Sequence, residues 1–193
     1  MAFWSQQTLE PKRQFRWVLE INAIPKWMIK TVDKPVATIS SQAHKFYGHT
    51  YNYPGTVTWN DINMTLIDPV SPDAVATMAT ILRQGGYDPP ISDSQNLISI
   101  SKDSAVKSLG SVNIVQKSPE GNNIEQWTLT NPIFTSLDFG GNLSYDNEGL
   151  IELKVTVKYD WAQLITTSGK PNQTATVNGV SPGSTYWVPG RAQ

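Results

Sequence analysis

Apolar and polar positions alternate along much of this chain. The most regular run is residues 151–161, where Ile151, Leu153, Val155, Val157, Tyr159 and Trp161 interleave with Glu152, Lys154, Thr156, Lys158 and Asp160. A period of two puts the first set on one face of a β-strand and the second on the other, so a core fixes its register and the polar set meets water or a polar partner. Residues 57–68, VTWNDINMTLID, behave differently. Val57 and Trp59 share one parity, whereas Ile62, Met64 and Leu66 share the opposite one. A bulge at Asn60 and Asp61 restores such a register and bends the strand; the simpler alternative is a strand that ends there in a turn.

Other strands follow from the same pattern. Phe15, Trp17, Leu19 and Ile21 share a parity before Pro25, and residues 27–40 are rich in β-branched side chains, with Pro35 pointing to an edge or bulge. SVNIVQKS and EQWTLTNPIFTSLDFG complete the strand set, with PEGNN and NLSYDNEG as turns, and residues 85–105 read as loop. One segment is punctuated as a helix, at about 72–84. Ser71 is its expected N-cap, Pro72 its first position, Asp73 lies in its first turn, and Arg83 and Gly85 close it. Val75, Met78, Ala79 and Leu82 make its expected apolar stripe, suited to covering a sheet.

These elements predict a mainly β (α+β) chain, an antiparallel β-sandwich or barrel with one flanking helix. The expected organisation is an N-terminal arm at 1–14, a β domain at 15–161 and a Ser/Thr/Gly/Pro/Asn-rich extension at 162–193. Fifteen Lys+Arg against sixteen Asp+Glu give a formal net charge of −1, which excludes the basic excess of a dedicated nucleic-acid binder. The absence of cysteine rules out disulfides and thiolate metal sites. Neither a signal-peptide h-region nor an apolar run long enough to span a bilayer is present, so synthesis in a cytoplasm is expected.

Candidate chemistry is sparse. His44 and His49 lack a third ligand, no GxSxG or phosphate-cradling loop occurs, and the carboxylates fall in turns and on solvent faces. No enzymatic activity, metal or cofactor is expected. Seven tryptophans leave room for a carbohydrate-binding sandwich. Trp17, Trp59 and Trp161 are accounted for by core packing, which leaves Trp4, Trp27, Trp127 and Trp187 as stacking candidates.

FRWVLEI, TYNYPGTVTWNDINMTLID, the helix that follows, and NPIFTSLDFGGNLSYDNEGLIELKVTVKYDW together resemble the tail tube proteins of contractile-tailed, T4-like bacteriophages, over residues 15–161. The resemblance implies a structural protomer whose hexameric rings, with a continuous β-barrel lumen, stack into a conduit inside a contractile sheath. It implies as partners further copies of the chain, a sheath protein, a tape measure protein, a baseplate tube initiator and a tail terminator, with double-stranded DNA passing without specific binding. The implied location is the virion, after assembly in the host cytoplasm. A type VI secretion tube or another phage-derived injection device belongs to the same class. On this reading Glu152, Lys154, Thr156, Lys158 and Asp160 become a candidate lumen or subunit-seam face. The stretch 41–54, too long for a tight hairpin, becomes a candidate ring-stacking loop through Ser41, His44, Phe46, Tyr47, His49, Tyr51 and Tyr53. Phe3, Trp4, Tyr186 and Trp187 are candidate anchors for the two arms.

Overall fold

Two antiparallel sheets enclose one apolar core, and several of their strands are halves of longer runs that break at two-residue corners. The computed structural model describes residues 11–22, 24–89 and 99–166, together with the backbone of 185–186. The first sheet runs in the order β1 (Trp17–Ile21), β6 (Val112–Lys117), β7 (Asn123–Thr130), β10 (Trp161–Thr166) and β11 (Thr185–Tyr186). The second runs β2 (Ile29–Val32), β5 (Ile62–Ile67), β9 (Glu152–Lys158), β8 (Ile133–Asp138). β3 (Ala37–Phe46) and β4 (His49–Trp59) pair only with each other among the described residues. The expected mainly antiparallel β architecture is therefore present.

Each slip in apolar parity marks a change of sheet. β4 ends at Trp59 and β5 begins at Ile62 in a different sheet, so Asn60 and Asp61 form a corner rather than a bulge within one ladder. β7 gives way to β8 across Asn131 and Pro132, where the buried parity passes from Leu129 to Pro132. The run 151–161, expected as one strand, divides into β9 and β10 across Tyr159 and Asp160, and burial passes from Val157 and Tyr159 to Ala162. An unslipped strand cannot turn through a sandwich corner and keep its apolar set inside; extra residues at the bend re-aim the side chains. Two of these corners are tied together. The Asp160 N–H donates to the Thr130 carbonyl at 3.0 Å, and Asn131, held at φ 51°, donates its side-chain amide to the Asp160 carboxylate at 2.7 Å.

Leu19, Ile114 and Leu129 from the first sheet pack with Met64, Leu66, Leu153 and Val155 from the second. Tyr159 closes the core beneath Trp59, their ring centroids 6.1 Å apart. Burial raises the Tyr159 hydroxyl to about 12, Asp61 adding to the effect and a backbone hydrogen bond at Val36 opposing it. β10 runs to Thr166 with Ala162 fully buried, so the paired strand extends past the composition change at 162.

The helix α1 (Ala74–Gln84) starts later than its sequence suggests. Asp73, not Ser71, is the N-cap, its carboxylate accepting the Ala76 N–H at 2.8 Å, and Pro72 precedes the helix. The stripe is also rotated: Ala74, Met78 and Ile81 are buried while Ala79 is exposed. A second helix, α2 (Lys102–Leu109), occupies part of the stretch expected as loop. Its punctuation is complete. Ser101 caps it, Asp103 and Lys107 pair at 2.7 Å one turn apart, and Gly110 ends it at φ 71°. At eight residues with a single buried side chain, Leu109, its periodicity was too short to show.

Leu66 is fully buried on β5, flanked by β2 and β9. Leu66→Ala is expected to destabilise the fold by about 2–5 kcal/mol, measured as a lower denaturation midpoint at unchanged slope.

Candidate functional site

β9 faces the core with Leu153, Val155 and Val157, which leaves its other parity on the outer face of the second sheet. Glu152, Lys154, Thr156 and Lys158 all lie there. The two middle rungs have polar ladder neighbours as well, Thr156 between Asn63 and Ser136 and Lys154 between Thr65 and Asp138, whereas Glu152 is opposite Ile67 and Lys158 opposite Ile133. Thr156 Oγ1 donates to Asn63 Oδ1 at 3.0 Å, Asn63 Nδ2 donates to Asp33 at 3.2 Å, and Lys30 pairs with Glu152 across the sheet. The result is a sheet face with a hydrogen-bonded polar centre that carries both cations and carboxylates. Asp160 is not on it. It sits at the corner beyond β9, paired with Lys102 at 2.7 Å, and the bonds from Asn131 and Lys102 hold its carboxyl below the ordinary range.

The stretch 41–54 is not a loop. The chain runs through it as β3 and β4, joined by a two-residue turn in which Tyr47 (φ 51°) and Gly48 (φ 80°) take the positive angles of a type I′ hairpin. A polar-aromatic composition hid the strands, because neither face is buried. Every residue from Ala37 to Thr58 in the two strands is exposed. Gln42 pairs with Tyr53, His44 with Tyr51 and Phe46 with His49, which gathers five of the seven candidate stacking residues on one face; Ser41 is on the other, opposite Pro54, and Tyr47 occupies the turn. A register shift between Ile39 and Ser41 sets this face. There the Thr56 N–H donates to Ser40 Oγ at 3.0 Å, and Gly55 leaves the space that Ser40 fills.

Phe3, Trp4 and Trp187 lie outside the described residues. Tyr186 is described by its backbone, which pairs with Leu164. Trp127 is unavailable as a sugar platform: it packs against the core, and its Nε1–H donates to Glu125 at 2.6 Å. Trp27 is exposed, and Trp4 joins the residues outside the description. Among the described residues no three metal-ligating side chains gather, and no helix is long and apolar enough to cross a membrane.

Sequence reasoning missed Glu125. Its side chain, 8% exposed, takes Lys34 at 2.8 Å and Lys12 as ion partners in addition to Trp127. The signal was present, since Glu125 shares the parity of Trp127 and Leu129, and a carboxylate on a core-facing parity needs partners. Burial pushes its carboxyl up, but the bonds from Lys12, Lys34 and Trp127 outweigh that and bring it from 4.5 to about 2. The cluster fastens residue 12, before the first strand, and residue 34, at the base of the hairpin, to the first sheet.

No protein-family model matches this chain, and no curated protein matches it. Solved structures do. A chain of the anti-feeding prophage tube-terminating cap superposes with a TM-score of 0.61 at 13% identity, covering 86% of this chain and 99% of its own. A chain of the anti-feeding prophage baseplate gives 0.58 at 12%, covering 82% and 97%. A chain of the sheath-tube complex of PVC, an extracellular contractile injection system, gives 0.57 at 13%, covering 81% and 92%. At these identities the likeness is one of fold, and it extends over nearly the whole of each neighbour.

Because the folded-state pKa of Glu125 is depressed, its contribution is complete above the ordinary value of 4.5 and is lost as pH falls from there through about 2. Glu125→Gln is expected to remove about 3 kcal/mol at pH 7 and to flatten the pH dependence of stability across that window, as measured by denaturation at stepped pH.

Proposed function

We propose that this protein is the structural protomer of a contractile-tail tube, whose hexameric rings stack into a hollow conduit. The observation that carries the reading is the β3–β4 hairpin, which has no partner sheet within the described residues and exposes both of its faces. Isolated two-stranded hairpins are marginal in water, so a hairpin of this length implies a neighbour that completes it. The fold shared with chains from two contractile injection systems supports the same assignment.

The parts take roles accordingly. The second sheet has free edges at β2 and β8, and with four antiparallel strands these edges run antiparallel to each other, as a closed ring of sheets requires. Its polar outer face, with Glu152, Lys154, Thr156 and Lys158, lines the lumen. Asp160 belongs to the seam. The aromatic hairpin face with His44, Phe46, His49, Tyr51 and Tyr53 stacks on the adjacent ring. A luminal wall that carries carboxylates such as Glu152 and Asp138 beside its lysines binds phosphates less firmly than a purely basic one, so DNA slides rather than binds.

Within this class the sequence resemblance supports the tail tube of a T4-like phage, a virion component through which the genome passes, in contact with sheath, tape measure, initiator and terminator proteins. The structural neighbours favour a second reading, the tube of a phage-derived injection device. Electron microscopy of the source particle separates the two, by the presence or absence of a capsid on the tail.

The purified protein is expected to form rings or tubes in negative stain, with a smallest closed particle of six 21.4 kDa protomers by native mass measurement. A monomer at every concentration, with and without baseplate seeds, overturns the assignment. Replacing Phe46, Tyr51 and Tyr53 with Ser is expected to leave single rings and abolish stacked tubes, scored by tube length in the same micrographs.

A further inference from the structure

The seam between β1 and β2 opens into a cleft of about 600 Å³ with an apolar floor and a basic rim. Trp17, Val32 and Ile114 form the floor, and Lys12, Arg13, Lys30 and Lys34 stand around it. Glu125 answers Lys12 and Lys34 with a single carboxylate and Glu152 answers Lys30, so the rim keeps an excess of positive charge. Phe15, 74% exposed, stands at the mouth.

The opposite edge of the second sheet carries the complementary features. Residues 139–151 join β8 to β9 and hold Leu143, Tyr145 and Leu150 almost wholly in solvent. Their only charges are Asp146 and Glu148, and no basic residue occurs between Asp138 and Lys154. The segment is shaped from within, by bonds of the Gly140 and Gly141 N–H groups to Asp138 and of the Gly149 N–H to Asn147. Three exposed large apolar side chains on an acidic, turn-braced segment have the character of a contact surface.

The two features also stand at the same height on the sheet. Thr31, at the cleft, is opposite Thr65, which is opposite Lys154, which is opposite Asp138, the last residue before the segment leaves β8. A copy placed edge to edge, its β2 about 4.8 Å from this β8, brings its cleft to the segment without axial displacement.

We infer that the acidic-apolar segment 139–151 of one copy seats in the basic cleft of the next, making a head-to-tail contact that repeats around the ring. This rests on the ring assignment and specifies its interface. Leu143, Tyr145 and Leu150 meet the apolar floor, while Asp146 and Glu148 meet the basic rim. The contact is heterologous, one surface donating and a different one receiving, which is the type that closes into rings. Its charge pairs set the register and the rate of encounter, and salt weakens them.

The test reverses charge on one side at a time in the full chain. Arg13→Glu, and separately the double variant D146K/E148K, are each expected to weaken ring formation by about tenfold or more, read by sedimentation. Mixing the two variants restores rings, because each then offers the surface that the other accepts. Circular dichroism and thermal melting confirm that the variants fold. If one does not, Arg13→Cys combined with Glu148→Cys gives a second readout: oxidation of this otherwise cysteine-free chain yields a covalent ladder up to the ring. Single variants that assemble like the parent, a mixture that stays dissociated, or a double-cysteine chain that oxidises without a ladder overturns the inference and leaves the ring assignment standing. A parent chain that never associates overturns both.

Discussion

The carboxylate of Asp160 holds together the place where this fold changes direction. It accepts from Asn131 and pairs with Lys102, so the β7–β8 corner, the β9–β10 corner and the start of α2 meet at one charged group. Both sheets depend on that meeting, because β7 and β10 belong to one and β8 and β9 to the other. A sandwich of independent strands can shear. Here the two walls are continuous pieces of chain, and the core between Leu129 and Leu153 is enclosed by covalent geometry as well as by packing.

Rigidity of this kind suits a body that carries exposed parts. Most core residues lie on the two sheets, with covers from Ile24, Met28, Ala74, Met78 and Leu109, and the hairpin contributes only Trp59 at its base. Ile39 and Val57, opposite each other on the hairpin, remain mostly exposed. Apolar and aromatic side chains are held out on a strand pair braced by its own ladder and by Ser40, and the proposed contact between rings rests on that exposure.

Glu125 adds a polar constraint to an apolar core. Placing a carboxylate there is unfavourable unless its partners are fixed, and fixing them requires residue 12 and residue 34 in position. The buried charge thus specifies where the chain enters the first sheet and where it leaves for the hairpin. A hydrophobic residue at 125 fills the same space without that requirement.

Sequence alone determined the β class, because alternation over residues such as Leu153, Val155 and Val157 admits one period. It also determined the lack of thiol chemistry, the end of α1 at Gly85, and the polar parity of β9 from Glu152 to Lys158. It marked the slip at Asn60 and Asp61 without its meaning, since parity records that a strand has been re-aimed and not which wall receives it. Tertiary structure decided that this slip is a corner between sheets and that Tyr159 and Asp160 divide one apparent strand in two. It decided that 41–54 is a hairpin, for exposed strands bury neither face and leave no alternation to detect. The partners of Glu125 come from residues 91 and 113 positions away. Pairings at that separation are set by the path of the chain through space, which local pattern does not contain.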